Sequence, residues 1–168
     1  MKGRKFLSLA AAPLFANQQS VLVHEHVMVD FVGADKIGPG RYDPDEDFRI
    51  AKPKLQAVRD LGCGRFLECT PQFIGRDAAL MSRLSEALDM DISTNTGIYG
   101  AANHKYVPEF AKQETADQLA KRWIKEVQRG VDGVVPRFIK TGVNKGPIDE
   151  LDSKLVRAAA ITSRETGL

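Results

Sequence analysis

The sequence predicts an α/β fold with a parallel sheet, built from four successive β/α units. From residue 20 onward, short apolar runs alternate with amphipathic stretches, and this order favours parallel strands joined by right-handed helical crossovers. The 168 residues are 43% hydrophobic and 27% charged, which is typical of one soluble domain with a core of its own. An eight-stranded barrel of such units needs about 250 residues, so this chain would supply four of the eight.

The first unit opens with an apolar, β-branched run over residues 20–26, which favours a buried strand. A loop rich in Gly, Pro and Asp over 33–46 leads to a helix predicted over 47–61, which Pro53 either starts or kinks. The apolar face of this helix consists of Leu55, Val58 and Leu61.

The second and third units follow the same pattern. A strand over 65–70 ends at Pro71, and Asp77 is placed to cap the second helix. The third strand, over 92–96, is polar and therefore weaker. The apolar face of the second helix consists of Leu80, Met81, Leu84, Ala87 and Leu88.

A capping box of Thr115 and Gln118 opens the third helix. The fourth strand is predicted over 134–140, and a last helix over 151–166 ends at Gly167. The side chains expected to face inward are Leu119, Trp123 and Val127 from the third helix and Leu151, Leu155, Val156 and Ala159 from the last.

The first sixteen residues have the layout of a secretory signal peptide. Basic residues precede an apolar run over 6–15, and Ala16 supplies a small residue before polar sequence. The run is too short to cross a bilayer. We expect residues 1–16 to be a signal peptide of a periplasmic or secreted protein and 17–168 to be the folded domain. Otherwise the run is an apolar tail of a cytoplasmic protein.

Charge and cysteine content exclude several classes of partner. The net charge is +2 with both signs interspersed, so neither a nucleic-acid nor a membrane partner is expected. Cys63 and Cys69 are expected to be small buried thiols rather than a disulfide or part of a zinc site.

The most informative feature is the tripeptide His24-Glu25-His26 at the end of the first strand. Alternation along a strand places both imidazoles on one face, about 7 Å apart, and Glu25 on the other. Two such imidazoles can bind one ion of Zn, Fe, Ni or Cu. The alternative is a pair of ordinary histidines in the core or at the rim of the sheet.

Lys140 ends the fourth strand, at the edge where parallel α/β folds place their active sites. Burial disfavours the charged form of a lysine, and a neutral amine can add carbon dioxide. The resulting carbamate could bridge two cations about 3.5–4 Å apart. Alternatively, the lysine extends to solvent or binds an anion.

Three further polar residues are less specific. Glu68, near the end of the second strand, could accept a hydrogen bond from a metal ligand or form a salt bridge. Tyr99 could line a pocket or pack under a loop. His104 lies in a loop without an evident partner and is expected at the surface.

Together these segments resemble the phosphotriesterase family of the amidohydrolase superfamily. The matching stretches occur in the family's order, from residue 21 to the end of the chain. They read VHEHVMVDF over 23–31, ECTP over 68–71, IGRD over 74–77, TGIY over 96–99, FIKTG over 138–142, LVRAAA over 155–160 and RETGL over 164–168.

The resemblance implies a (β/α)8 TIM-barrel fold with two divalent metal ions, usually zinc. It implies that His24 and His26 bind the more buried ion, and that Lys140, carboxylated to a carbamate, is the catalytic residue that bridges both. The implied activity is hydrolysis of a small-molecule phosphotriester, lactone or related ester by a metal-bound hydroxide. Tyr99 matches a position near the substrate.

The sequence also departs from the family. Two more histidines and an aspartate come from the family's fifth, sixth and eighth strands, which this sequence does not contain. We therefore expect an N-terminal half-barrel with little activity alone, which forms a homo-oligomer or pairs with a missing C-terminal half. The other hypothesis is a non-catalytic half-barrel that acts as a structural or assembly module through its open strand edges.

Overall fold

Parallel strands alternate with helices from Ser20 to the last residue. A computed structural model describes residues 20–168, and the expected signal peptide lies outside them. The strands are β1 (Ser20–Glu25), β2 (Cys63–Glu68), β3 (Asp91–Ser93), β4 (Asn95–Thr96) and β5 (Phe138–Ile139). The helices are α1 (Pro44–Asp60), α2 (Ala78–Leu88), α3 (Glu109–Gln113), α4 (Ala116–Arg129) and α5 (Glu150–Thr166), with a 3-10 turn at Gln72–Ile74.

Within residues 20–168 the pairings between these strands are all parallel, as predicted. β2 lies between β1 and β3, and β4 pairs with β5. β3 and β4 are two pieces of the third predicted strand, interrupted at Thr94. The Arg137 amide donates to the Thr94 carbonyl at 2.9 Å and the Lys140 amide to the Thr96 carbonyl at 2.7 Å. These two bonds continue the hydrogen bonding between the third predicted strand and β5 through the interruption at Thr94. The carboxyl ends of the strands therefore lie along one edge.

Two apolar clusters form the core. The first joins α1 and α2 to β2 and β3 and includes Leu55, Phe66, Leu80, Leu84 and Ile92. The second joins α3, α4 and α5 to the segment after β4 and includes Ile98, Leu119, Trp123, Leu155 and Ala158. The first cluster packs helices on the strands, and the second packs helices on the segment that follows β4.

Helix α1 begins earlier than predicted, at Pro44 rather than residue 47. Asp43 caps it by accepting from two backbone amides, and a proline suits the first helical position because it has no amide to satisfy. Pro53 therefore lies inside the helix. Leu61 was predicted on the apolar face, but it follows the helix end and is 88% exposed.

Several other helix predictions are confirmed in outline. Asp77 caps α2, Thr115 and Gln118 form the capping box of α4, and Gly167 ends α5 in a left-handed conformation. The short helix α3 was not predicted. Two residues expected to face inward are exposed instead, namely Ala87 in α2 and Val156 in α5.

β1 is not the buried strand that its composition suggested. Within residues 20–168 it pairs on one side only, with β2. Its Val23 side chain is 67% exposed, and Val21 is exposed as well. β1 is therefore an edge strand with apolar side chains in contact with solvent.

The fourth predicted strand is reduced to Phe138–Ile139. Val131 and Val134 bond each other's backbone in a local turn, at 2.8 and 2.9 Å, which removes the first residues from the sheet. Pro136 has no amide to donate to a ladder. β2 is shifted by two residues, to Cys63–Glu68 from the predicted 65–70. Both cysteines are buried free thiols, as expected.

None of the helices in the described part of the chain combines the length and apolar character needed to span a membrane.

Candidate metal centre

His24 and His26 lie together at the carboxyl end of β1. Their ring centroids are 5.5 Å apart and their planes are inclined at 61°. Both residues are exposed. The two rings therefore face the same region, as strand alternation predicted, and an ion from solvent could reach them.

Lys140 joins this pair from the other end of the chain. It follows β5 directly, and its Nζ lies 3.0 Å from His24 Nε2, a contact across 116 residues of sequence. A lysine ammonium can only donate, so the Nε2 lone pair of His24 is directed at Nζ. The contact brings together the three residues that the sequence proposed as metal ligands.

Gly97 allows β5 and Lys140 to lie this close to β4. Its φ is +116°, and a Cβ at this position would lie 2.2 Å from the Lys140 carbonyl oxygen. A side chain cannot fit there, because the neighbouring atom belongs to the backbone and cannot rotate away. The TGIY stretch therefore contributes a close backbone approach to the site.

Thr70 and Glu68 hold His26 in position. Thr70 Oγ1 lies 2.9 Å from His26 Nδ1 and 3.0 Å from the Met28 carbonyl. The Glu68 carboxylate accepts from the Thr70 hydroxyl, from the Thr70 amide at 3.1 Å and from the Val27 amide at 3.3 Å. Since the hydroxyl has one proton and donates it, it accepts from Nδ1–H of the ring, which leaves Nε2 free to bind a metal.

The environment of His26 also favours the form of the ring that binds metals. Partial burial of the ring lowers its pKa below 6.5, and the neighbouring charges of His24 and Lys140 lower it further, while Glu25 acts in the opposite direction. A metal ligand must be neutral imidazole, so the lowered pKa assists binding at neutral pH.

We expect the Thr70 hydroxyl to be required for tight metal binding by His26. In Thr70→Val, zinc affinity should fall by about 10–100-fold, because Nδ1 loses its acceptor. Thr70→Ser keeps the hydroxyl and should retain most of the affinity. Competition titration with a chelator measures both variants, and equal losses in the two would contradict the role of the hydroxyl.

Glu68 is the buried carboxyl of the site, with 2% of its surface exposed. Burial raises its pKa from 4.5 to about 7, although the hydrogen bonds from Thr70 and Val27 and the charge of Arg76 oppose the rise. It forms no salt bridge within residues 20–168, and its hydrogen bonds are with Thr70 and Val27 rather than with a proposed metal ligand.

The raised pKa predicts that Glu68→Gln gains stability relative to the wild type as pH rises. Between pH 4.5 and about 7 the folded protein binds more protons than the unfolded chain, so the wild-type free energy of unfolding falls through this window. The variant lacks this titration, so across this window its free energy of unfolding should rise by about 3 kcal/mol relative to that of the wild type. Urea unfolding at several pH values measures the difference, and a difference independent of pH would contradict the prediction.

Arg76 carries a charge beneath the site that the sequence did not reveal. The sequence predicts a helix cap at Asp77 in this stretch, but the Arg76 side chain beside it is 3% exposed and pairs with both oxygens of Glu126, at 2.8 and 3.0 Å. It also donates to the Asn95 carbonyl at 2.7 Å, and the Thr96 hydroxyl donates to Glu126 at 2.7 Å. The pair ties α4 to β4, and its partner was unpredictable because it is 50 residues away.

Tyr99 lies at the same edge and packs against the segment after Lys140. A Cβ on Gly142 would lie 2.3 Å from the Tyr99 ring, so the glycine makes room for the ring. The ring centroid is 6.3 Å from that of Tyr106. Tyr99 is half-buried.

His104 is not the isolated surface residue that the sequence suggested. It is half-buried, and its Nε2 lies 3.3 Å from Asp149 and 3.3 Å from Asp152. Within residues 20–168, no third His, Cys, Asp or Glu joins His24 and His26, whereas His104, Asp149 and Asp152 converge.

Parallel strands with helical crossovers, and a histidine pair beside a lysine at the strand ends, define a parallel α/β protein with a candidate metal centre. The sequence profile of the phosphotriesterase family matches residues 13–168. The chain belongs to the phosphotriesterase family.

Two curated relatives illustrate the similarity. The chain is 27% identical over 147 residues to the aryldialkylphosphatase of Saccharolobus solfataricus. The aligned region covers 86% of this chain and 46% of that protein. It is 30% identical over 135 residues to the phospho-furanose lactonase of Mycoplasmopsis agalactiae, covering 72% of this chain and 38% of that protein. The chain spans about half the length of the curated relatives it matches.

Solved structures agree on the fold. The phosphotriesterase homology protein of Escherichia coli, complexed with phosphate in its active site, matches with a TM-score of 0.77 and 24% identity, over 91% of this chain and 52% of that one. The organophosphorus hydrolase of Deinococcus radiodurans matches with a TM-score of 0.75 and 25% identity, over 88% and 46%.

Proposed function

We propose that this chain is part of a metal-dependent hydrolase that acts on a phosphotriester, a lactone or a related small-molecule ester. The observation that carries the proposal is the approach of Lys140 Nζ to His24 Nε2 at 3.0 Å, beside the His26 ring. Membership of the phosphotriesterase family and the hydrolase names of the relatives support it.

The three residues fit a divalent metal site, for which we propose two ions of Zn²⁺. His26 offers Nε2 because Thr70 takes its Nδ1, and His24 offers Nε2 because that atom faces Lys140. Lys140, as a carbamate, would give one oxygen to each ion. Bound zinc would supply a Lewis acid and lower the pKa of water. Tyr99, at the same edge, would contact the substrate with the exposed part of its ring.

We further propose that residues 17–168 form the first four units of a (β/α)8 barrel. His24, His26 and Lys140 are fewer ligands than two ions need. The remaining ligands would come from four more units, in a longer chain or in a separate one that pairs with the open edges. The coverage of about half of each relative supports this arrangement.

One observation favours a second function, that of a non-catalytic assembly module. β1 is an unpaired edge within residues 20–168, and it exposes Val21 and Val23 to solvent. Such an edge pairs readily with another strand. In this alternative the half-barrel would join a second copy or a second half without contributing chemistry.

Hydrolysis assays on the zinc- and bicarbonate-treated chain distinguish the two functions. An aryl phosphotriester, a lactone and an aryl carboxylate ester serve as substrates, and sedimentation separates monomer from assembled forms. We expect turnover only in assembled protein, and its loss in His24→Ala with His26→Ala and in Lys140→Met. Those substitutions should leave assembly unchanged.

Each other outcome overturns a part of the proposal. Turnover by a proven monomer would show that no further units are required. Turnover that survives both sets of substitutions would remove the three residues from the chemistry. Assembly without turnover of any of the three substrates would support the assembly module instead.

A further inference from the structure

A second group of metal-binding side chains lies outside the β1 site, where the loop after β4 meets the start of α5. His104 Nε2, an Asp149 oxygen and an Asp152 oxygen all lie within 4.8 Å of one another. Nε2 lies 3.3 Å from each carboxylate. Ligands about 2.0–2.1 Å from a tetrahedral zinc ion are separated by about 3.3 Å, so two of the three separations already match such an ion.

Asn144 is the neighbour of His104 Nε2 within this group. Asn144 Nδ2 lies 3.0 Å from Nε2. The orientation of the amide is fixed, because Asn144 Oδ1 accepts from the Asn103 backbone amide at 2.8 Å. The Asn144 amino group therefore faces Nε2, the Gly100 carbonyl at 3.5 Å and Asp152 Oδ2 at 3.3 Å, and its two protons serve two of these three acceptors. In the neutral ring with its proton on Nδ1, Nε2 has a lone pair, so a bound cation would replace the proton that an ion pair with the two carboxylates requires.

No lysine or arginine within residues 20–168 balances the negative charge of the group. Asp152 has 1% of its side chain exposed, and a buried carboxylate of this kind is normally paired. In this part of the chain the salt-bridge contacts of Asp149 and Asp152 are with His104, which balances their charge only when its ring is protonated. The neutral amide and backbone N–H of Asn144 provide the other hydrogen bonds to Asp152.

We propose that His104, Asp149 and Asp152 bind a divalent transition-metal ion of the zinc class, separately from the β1 site. An imidazole with two carboxylates suits such an ion better than magnesium or calcium, which prefer oxygen ligands alone. Asp149 is exposed, so the ion can enter from that side and keep a water as its fourth ligand.

The ion would fasten the loop after β4 to α5. Three consecutive residues of this loop, Ala102, Asn103 and His104, have φ values of 59°, 53° and 59°, a left-handed backbone conformation that is unfavourable for most residues with a Cβ, asparagine less than others. The turn brings His104 against Asp149, which caps α5, and Asp152, in its first turn. The same loop begins beside Tyr99, so the ion would stabilise this part of the strand-end edge.

Zinc binding to the full chain in a His24→Ala/His26→Ala background tests the proposal, because that background removes the β1 site. Bound zinc is measured by elemental analysis after dialysis, and stability by the Tm with and without zinc. We expect one zinc ion per chain and a rise in Tm of about 5 °C. Both should be lost on adding Asp149→Asn, which keeps a good helix cap but removes the charge.

Glu150→Gln is the matched control, since it removes a neighbouring exposed carboxylate that is outside the group. It should retain the zinc and the Tm shift, and His104→Ala should lose them. Absence of zinc from the background protein, or equal zinc in the Asp149→Asn and Glu150→Gln variants, would overturn the proposal. Neither result depends on hydrolysis. The zinc site at His104 can therefore be refuted while the proposed function stands, and the proposed function can be refuted while this site stands.

Discussion

Replacing His24 and His26 by alanine together is expected to abolish zinc binding at the carboxyl end of β1. Both rings face one region, 5.5 Å apart, and one of them contacts Lys140. Without imidazoles the site keeps a single lysine, which is not a sufficient ligand set. Because both residues are exposed, the free energy of unfolding in the absence of zinc should change by only about 1 kcal/mol. Zinc bound per chain and urea unfolding measure the two effects.

Val21→Ala with Val23→Ala is the control for this prediction. It makes two alanine substitutions at exposed positions of the same strand and leaves both imidazoles in place. It should bind as much zinc as the wild type. If the histidine variant bound as much zinc as this control, the paired histidines would not be ligands.

Gly97→Ala is expected to be the most destabilising single substitution near the site. Its Cβ would lie 2.2 Å from the Lys140 carbonyl, and its φ of +116° is unfavourable for alanine. The free energy of unfolding should fall by about 3 kcal/mol or more. To relieve the clash, β5 must move from β4, so zinc binding should fall as well.

Gly133→Ala separates the effect of the steric clash from that of the unfavourable backbone conformation. Gly133 also has a positive φ, +81°, but no atom lies within 4 Å of the position of its Cβ. In this variant the free energy of unfolding should fall only by the cost of the backbone conformation, about 1 kcal/mol. Similar losses in both variants, measured by urea unfolding, would show that the close approach of β4 and Lys140 does not matter to stability.

The sequence predicted the elements whose determinants are local. The caps at Asp77 and Thr115 and the end of α5 at Gly167 follow from residues a few positions apart, and all are confirmed. The errors lie where a non-local contact or a competing local turn decides. The length of β5 depends on the turn between Val131 and Val134, which hydrophobic patterning does not register.

In the candidate site, too, the features that the sequence predicted are those with local determinants. His24 and His26 were predicted to share a face because strand alternation is local, and Lys140 was placed at the same edge by the order of the units. The support from Thr70 was not predicted, although its position two residues after Glu68 was a usable signal. The group around His104 was missed because its partners lie 40 or more residues away.

Zinc anomalous scattering from crystals of the zinc-treated chain tests the central claim most directly. The account predicts a peak about 2.0–2.1 Å from Nε2 of both His24 and His26, beside Lys140. A second peak beside His104 would bear only on the separate site proposed there. Absence of a peak between His24 and His26 in crystals that contain zinc would contradict the account.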